Sequence, residues 1–268
     1  LSSRDFFNLF VMFEILSLGS MLLICYERTV ASYLAALRYL FISTLSILVY
    51  LVGLWVLYRA SGSLSFDALG SLADSLPNSA LLPQARSYAF AAAAIYAGIL
   101  TRTALLPFHT WLPPAHAAAP YPASALLSGF VVKAPLFALI HLSEGIPPEV
   151  LGGLLLPLGL ATALFGAVAS VLETDAKRLL GFSSVSQMGL IVAAFSSAGE
   201  TGAAAFLFAV IAHAFYKGLL FLTVGELTHR AGTRDIGRLR GLGRSCPGHF
   251  LLFLLGALSL AGLPFTAG

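Results

Sequence analysis

Glu14, Arg102, Lys133, His213 and Lys217 each lie inside a long apolar stretch, and together they have the chemistry of proton transfer. A carboxylate can pair with a cation and release it when a proton arrives. Histidine is the side chain best suited to relay protons near neutral pH. Burial penalises the charged form of a lysine and a neighbouring carboxylate favours it, so a buried lysine can change charge with its surroundings. The arginine guanidinium stays protonated, so Arg102 can anchor a carboxylate such as Glu14 but cannot carry a proton.

Glu14 has two readings. It is either a neutral carboxyl hydrogen-bonded between helices, or a carboxylate that pairs and releases, the role usual for an ionisable group at membrane depth. Lys133 lies too deep for its stem to snorkel easily to the headgroups; it is either a fixed counter-ion to Glu14 or a switchable site. His213 and Lys217 are spaced i, i+4, which stacks both heads on one helix face. Lysine is a poor metal ligand and no second histidine shares that face, so the pair reads as a relay and no metal is expected. His109 and His116 flank a proline-rich stretch as accessory candidates, either in the path or capping freed carbonyls. His141, His229 and His249 fall near the ends of apolar segments and read as interfacial. Cys25 and Cys246 make no metal spacing. With no nucleotide loop, flavin fingerprint or iron–sulfur cysteine set in the sequence, no cofactor is expected.

The elements that must position these groups are membrane helices. Hydrophobic residues make up 58% of the 268 and charged residues 10%, whereas a soluble domain needs about 25% charged residues to face water. A crossing takes about 20 apolar residues, and eight segments qualify: 6–24, 38–58, 88–118, 123–142, 151–172, 179–196, 204–225 and 249–268. The third is too long for one straight crossing and contains Pro107, Pro113 and Pro114; proline removes a donor and clashes with the preceding turn, which predicts two half-helices around an unwound stretch. Gly262-Leu263-Pro264-Phe265 echoes Leu105-Leu106-Pro107-Phe108 and hints at a second broken helix in a repeated unit. Gly152, Gly159 and Gly166 recur every seven residues and predict close helix packing without chemistry. The 59–87 stretch reads as an interfacial or short amphipathic connection. The chain starts at Leu1 and ends inside an apolar run, and is expected to be an internal segment of a longer membrane protein.

Alternating the eight spans places loops 25–37, 119–122, 173–178 and 226–248 on one side. That side holds Arg28, Arg38, Lys177, Arg178, Arg230, Arg234, Arg238, Arg240 and Arg244; the other holds Arg4, Arg59 and Arg86. Nine against three makes the first side cytoplasmic. The remaining cations are the three inside spans. An ionisable group at the bilayer centre costs roughly 2.5–3.5 kcal/mol on insertion scales, so five facing lipid alone would cost on the order of 10 kcal/mol. They must pair or face water inside the protein.

Four stretches carry a family likeness: Phe10 to Leu16 around Glu14, Pro107 to Ser128, Asp175 to Gly189, and His213 to Leu220. In these the chain resembles the antiporter-like subunits shared by respiratory complex I, Mrp-type cation/proton antiporters and membrane-bound hydrogenases, with the phrase around Glu14 closest to the Mrp D-type subunit. The resemblance implies an all-α polytopic bundle of fourteen helices, two inverted repeats of five plus flanking helices, of which this chain holds helices five to twelve. Residues 1–142 would be helices five to eight and 143–268 helices nine to twelve. It also implies that Glu14 is the helix-five carboxylate, Lys133 the central lysine of helix eight, and His213 and Lys217 the polar pair of helix eleven. Arg102 stands where the family usually has lysine, which keeps an ion pair but prevents deprotonation. The implied function is an ion-translocating subunit, moving H+ and possibly exchanging it for Na+ or K+, with other membrane subunits as partners, any redox chemistry on those partners, and a bacterial plasma membrane as location. Other readings are a subunit coupled to bicarbonate uptake, a stand-alone cation carrier, or a scaffold whose buried charges only fix helix register. A signalling receptor would need neither the midspan lysines nor a broken helix.

Overall fold

The computed structural model describes residues 5–74, 83–142, 148–196, 200–263 and 266. All of the named elements are helices, as backbone in hydrocarbon demands, because each amide must find its partner within its own segment. They are α1 (Phe6–Ile24), α2 (Val30–Ser61), α3 (Asp67–Asp74), α4 (Pro83–Arg102), α5 (Leu112–Ala118), α6 (Tyr121–Leu126), α7 (Ala134–Leu142), α8 (Pro148–Leu172), α9 (Ala176–Phe195), α10 (Glu200–Ala231), α11 (Leu242–Ser245) and α12 (Pro247–Leu260). Each of the eight predicted segments contains helix among the described residues. Among the described residues six helices are long and apolar enough to cross a membrane by themselves; α4 opens on a polar turn and α12 is a shorter apolar helix. The short connection predicted after α2 contains α3. The side chain of His141, and Pro264, Phe265, Ala267 and Gly268, lie outside the described residues.

The helices are apolar outside and partly polar inside. In α1 the buried stripe Phe6, Leu9, Phe13, Ser17, Ser20 and Ile24 follows the 3–4 residue helical spacing, while Met12, Ile15, Leu18 and Leu22 are exposed. The inward hydroxyls are satisfied locally: Ser17 donates to the Phe13 carbonyl at 2.8 Å and Ser20 to Leu16 at 2.6 Å. Ser46 of α2 reaches across to the Gly98 carbonyl of α4 at 2.6 Å. The glycines predicted to pack do so. A β-carbon on Gly159 would stand 2.7 Å from the Gly189 carbonyl oxygen, and one on Gly166 would stand 2.4 Å from the Ser186 nitrogen, so α8 and α9 touch backbone to backbone.

The third segment is broken as expected. α4 ends at Arg102, the buried Ala104 has φ 57°, and a 3₁₀ turn Phe108–Trp111 leads into α5. Left-handed backbone costs a non-glycine residue roughly 1–2 kcal/mol, so the break is held by its surroundings; the freed Leu106 amide donates to Thr162 Oγ1 of α8 at 3.2 Å. α12 likewise stops at Leu260, with Gly262 at φ 72° two positions later. The fourth segment departs from the simple helix expected of it. A π-helical turn over Leu127–Val131 separates α6 from α7 immediately before Lys133. The Ser128-Gly129 pair marks the place, since such pairs and wide turns are common causes of helix distortion.

The halves repeat at one constant offset, the distance from Asp5 to Asp175. Asp5 caps α1 by accepting from the Phe7 amide at 2.7 Å, and Asp175 caps α9 by accepting from Lys177 and Arg178 at 2.8 and 2.9 Å. Val30–Ser61 corresponds to Glu200–Ala231, the left-handed Gly62 to Gly232, and the bridge Asp5–Ser65 to the bridge Asp175–Asp235. This constant offset defines a structural repeat; the Leu-Pro-Phe echo lies at a shorter spacing, Pro107 to Pro264, so the segment between differs in length in the two halves.

Candidate functional site

Arg102, at the end of α4 and only 7% exposed, reaches into α1. Its Nη2 donates to the Phe13 carbonyl at 2.9 Å and to Ser17 Oγ, and its guanidinium lies 5.0 Å from the Phe13 ring centroid. Glu14, the next residue, is half-buried and within electrostatic reach, as is Tyr39 of α2. The direct anchors are therefore a carbonyl and a hydroxyl on the carboxylate's own helix; no Glu14–Arg102 ion pair closes within 4 Å. Tyr39 is held by Trp111, the rings 4.9 Å apart, which ties this unit to the start of α5.

A second unit gathers four nitrogen bases. Lys133 is 2% exposed and donates to the Ser128 carbonyl within the π turn. Lys217, fully buried, crosses from α10 to α9, donating to the Leu180 carbonyl at 3.1 Å and to Ser183 Oγ. His213 lies one turn before it, edge-on to Tyr216, and is within electrostatic reach of Lys133, Lys217 and His116. His116 of α5 is fully buried and stacks on Phe221 at 4.6 Å. Neither ring nitrogen of His116 or His213 has a protein partner, so His116 does not cap a carbonyl. Serines line the same space: Ser128 and Ser184 hydroxyls meet at 3.0 Å, and Ser124 donates to the His116 carbonyl at 3.1 Å. Lys133 makes no ion pair among the described residues, so the fixed counter-ion to Glu14 is not the arrangement found.

Lys133 also forms the one charged part of the wall of a cavity of about 420 Å3 between α1, α7 and α10, shared with Leu9, Phe13 and Leu16 of the Glu14 helix. Of the two units, Phe13 and Lys133 line this cavity. His109 stands apart from both. It packs edge-on against Phe165 at 4.6 Å, and its Nδ1 is buried without a hydrogen-bond partner among the described residues.

One residue of this neighbourhood is misplaced by the sequence reading. Lys177, counted with the loop cations, is fully buried at the start of α9. Asp175 caps the helix from just outside, which turns the Lys177 stem inward. Its ammonium donates to the Ala119 carbonyl and sits 4.2 Å from the Tyr121 ring centroid. Arg234 donates to the Ala117 carbonyl at 2.8 Å and also approaches that ring, at 5.9 Å. Two cations thus cap the C-terminal carbonyls of α5, where the helix dipole favours positive charge. Tyr121 is fixed in turn by its hydroxyl, 2.5 Å from Thr228 Oγ1, and by Gly225, where a β-carbon would lie 2.7 Å from the ring. This holds the half-helix carrying His116. Removing Lys177 from the loop cations leaves eight against three, the same sign of bias.

Long apolar helices with exposed aliphatic faces, a broken span and a buried cationic cluster define a multi-pass membrane protein. The chain belongs to the family described as NADH:quinone oxidoreductase/Mrp antiporter, TM, whose model matches residues 3–268. It is 33% identical over 276 residues to NADH-quinone oxidoreductase subunit N of Desulforudis audaxviator, covering 100% of this chain and 53% of that protein. Two solved structures share the fold. One is the membrane-bound sulfane sulfur reductase, an archaeal respiratory membrane complex (TM-score 0.87, 29% identity, 98% of this chain and 53% of that one). The other is the Mrp complex from a Dietzia species (TM-score 0.86, 26% identity, 97% and 48%). The chain spans about half the length of these relatives.

Proposed function

We propose that this chain is the ion-translocating part of a membrane subunit in a multisubunit antiporter or NADH-quinone oxidoreductase-like complex, moving H+ alone or in exchange for Na+ or K+. The observation that carries this reading is the burial of Lys133, Lys217, His116 and His213 in one neighbourhood with no carboxylate ion-paired to any of them among the described residues. A scaffold would neutralise such groups in pairs; a path leaves them free to exchange protons. Buried polar atoms nearly always find a protein or water partner, so the unpartnered ring nitrogens fit a hydrated line. Glu14 and Arg102 form one end of that line and His213 and Lys217 the other, with Lys133 between. Coulomb coupling is strong where water is scarce, so protonation at one group changes the pairing at the next.

On this reading residues 1–142 hold most of the first repeat and 143–268 most of the second, the partners are the other membrane subunits of a hetero-oligomeric complex, and the location is a bacterial plasma membrane. The test is proton movement in sealed vesicles carrying the assembled complex. Glu14→Gln and Lys133→Ala should assemble at wild-type levels yet slow transport by at least about tenfold, since groups acting in proton transfer contribute that much or more. A scaffold would instead lose assembly and keep whatever transport remains per complex.

Arg102→Lys addresses the departure from the family pattern. The shorter ammonium still reaches Ser17 and gains the ability to give up its proton, so transport at or above the wild-type rate is expected. Complete loss of transport in an assembled Arg102→Lys complex would mean that the two-pronged contact with Phe13 and Ser17 is itself required.

A further inference from the structure

The repeat exposes one place where the halves are built differently. In the first half, the junction of α1, α2 and the segment after α2 is plugged by an aromatic pair: Phe6, fully buried, meets Phe66 edge-on at 4.9 Å, with Leu57 and Leu69 buried around them. At the same offset the second half has Ala176 for Phe6 and Ile236 for Phe66, while Leu227 and Leu239 replace Leu57 and Leu69 in kind. Ala176 and Ile236 line a cavity of about 680 Å3, bounded by the start of α9, the end of α10, residues 236–244 and the start of α12. That volume lies within the usual range for small-molecule sites, about 300–1,000 Å3. Its wall is aliphatic and aromatic except at the rim, where Arg240 and Arg244 stand. Gly70 occupies the position of Arg240 in the first half.

We propose that this cavity binds an anionic phospholipid, an acyl chain lying between α9, α10 and α12 and the phosphate on Arg240 and Arg244. Three observations select that occupant. Its apolar wall is a poor site for water and suits a hydrocarbon chain. The cavity opens at the loop end of the spans, the depth of lipid headgroups. The arginines are available: Arg230 is bound by Glu226 at 2.6 Å, Arg238 by Asp235 at 3.5 Å and Arg234 by the Ala117 carbonyl, whereas Arg240 and Arg244 are exposed and make no ion pair among the described residues. A docked helix would match the wall but not the cationic rim; free phosphate would match the rim but not the wall. The site rests on the membrane reading alone and stands whether or not the chain moves ions.

The experiment uses the full-length protein in its assembled complex, in nanodiscs of equal phosphatidylglycerol and phosphatidylcholine, with retained lipid read by native mass spectrometry. Phosphatidylglycerol should be retained in preference. Arg240→Gln with Arg244→Gln should reduce its retention by on the order of tenfold, the loss of two headgroup-level cations. Ala176→Phe with Ile236→Phe, which rebuilds the plug of the first half, should expel lipid of both kinds. Equal retention of the two lipids by the wild type, or unchanged retention in the plugged variant, would overturn the site. If the plugged variant does not assemble, a photoreactive phenylalanine analogue at Leu239 decides. Crosslinking to lipid supports the proposal; crosslinking to protein means that a helix covers the cavity and refutes it.

Discussion

Lys217→Met is expected to lower ion movement through the assembled complex by about 10²-fold or more, the usual contribution of a positioned proton-transfer group, while leaving the unfolding midpoint unchanged or higher. The two halves of this expectation have separate origins. Lys217 is fully buried and its ammonium donates to the Leu180 carbonyl and Ser183 Oγ. Methionine fills nearly the same volume without a charge, and replacing a buried charge by a well-packed apolar group is often neutral or stabilising. The carbonyl is not orphaned, because Ser183 already donates to it at 3.0 Å. Transport is another matter, since Lys217 is the contact by which α10 reaches α9 within the group containing His116 and His213. Vesicle transport and thermal unfolding measured on the same preparation separate the two effects. A variant that unfolds earlier and transports normally would assign Lys217 to structure and remove it from the path.

Gly189→Leu should have the largest effect on stability. A β-carbon there would stand 2.4 Å from the Ala163 nitrogen and 2.5 Å from the Gly159 carbonyl oxygen, backbone atoms that cannot swing aside. Overpacking ordinarily costs about 1–3 kcal/mol and more where the backbone must move; here α8 must separate from α9, so at least about 3 kcal/mol is expected, seen as a fall in unfolding midpoint and in recovered complex. Gly153→Leu, on α8 where a β-carbon meets nothing within 4 Å, is the matched control and should change neither. Equal behaviour of the two variants would show that the α8–α9 contact does not set stability.

These two cases also mark what a sequence can reveal. The glycine spacing was legible because close packing in membranes selects for small residues whatever the function. The buried ionisable groups were legible because charge in an apolar run is conspicuous, and the break because proline cannot continue a helix. Lys177 was not, since an Asp-Ala-Lys-Arg sequence reads as a solvated loop; only the cap made by Asp175 shows that the helix has already begun there. Ser17, Tyr39 and Tyr121 escaped notice for the opposite reason, as hydroxyls and aromatic rings blend into a membrane helix. The expected ion pair between Glu14 and Arg102 was close in position and different in kind: the guanidinium binds the neighbouring carbonyl, a partner that every residue possesses and no sequence pattern singles out.

The wide turn ahead of Lys133 has a geometric result of its own. A π turn holds one more residue than an α turn, which advances everything beyond it by about 100° around the axis. Lys133, Leu136 and Leu139 all face inward beyond it, while Leu126, just before it, and Phe130, within it, face outward. The span therefore runs in two phases, and the extra residue decides whether the ammonium looks into the protein or out at the hydrocarbon.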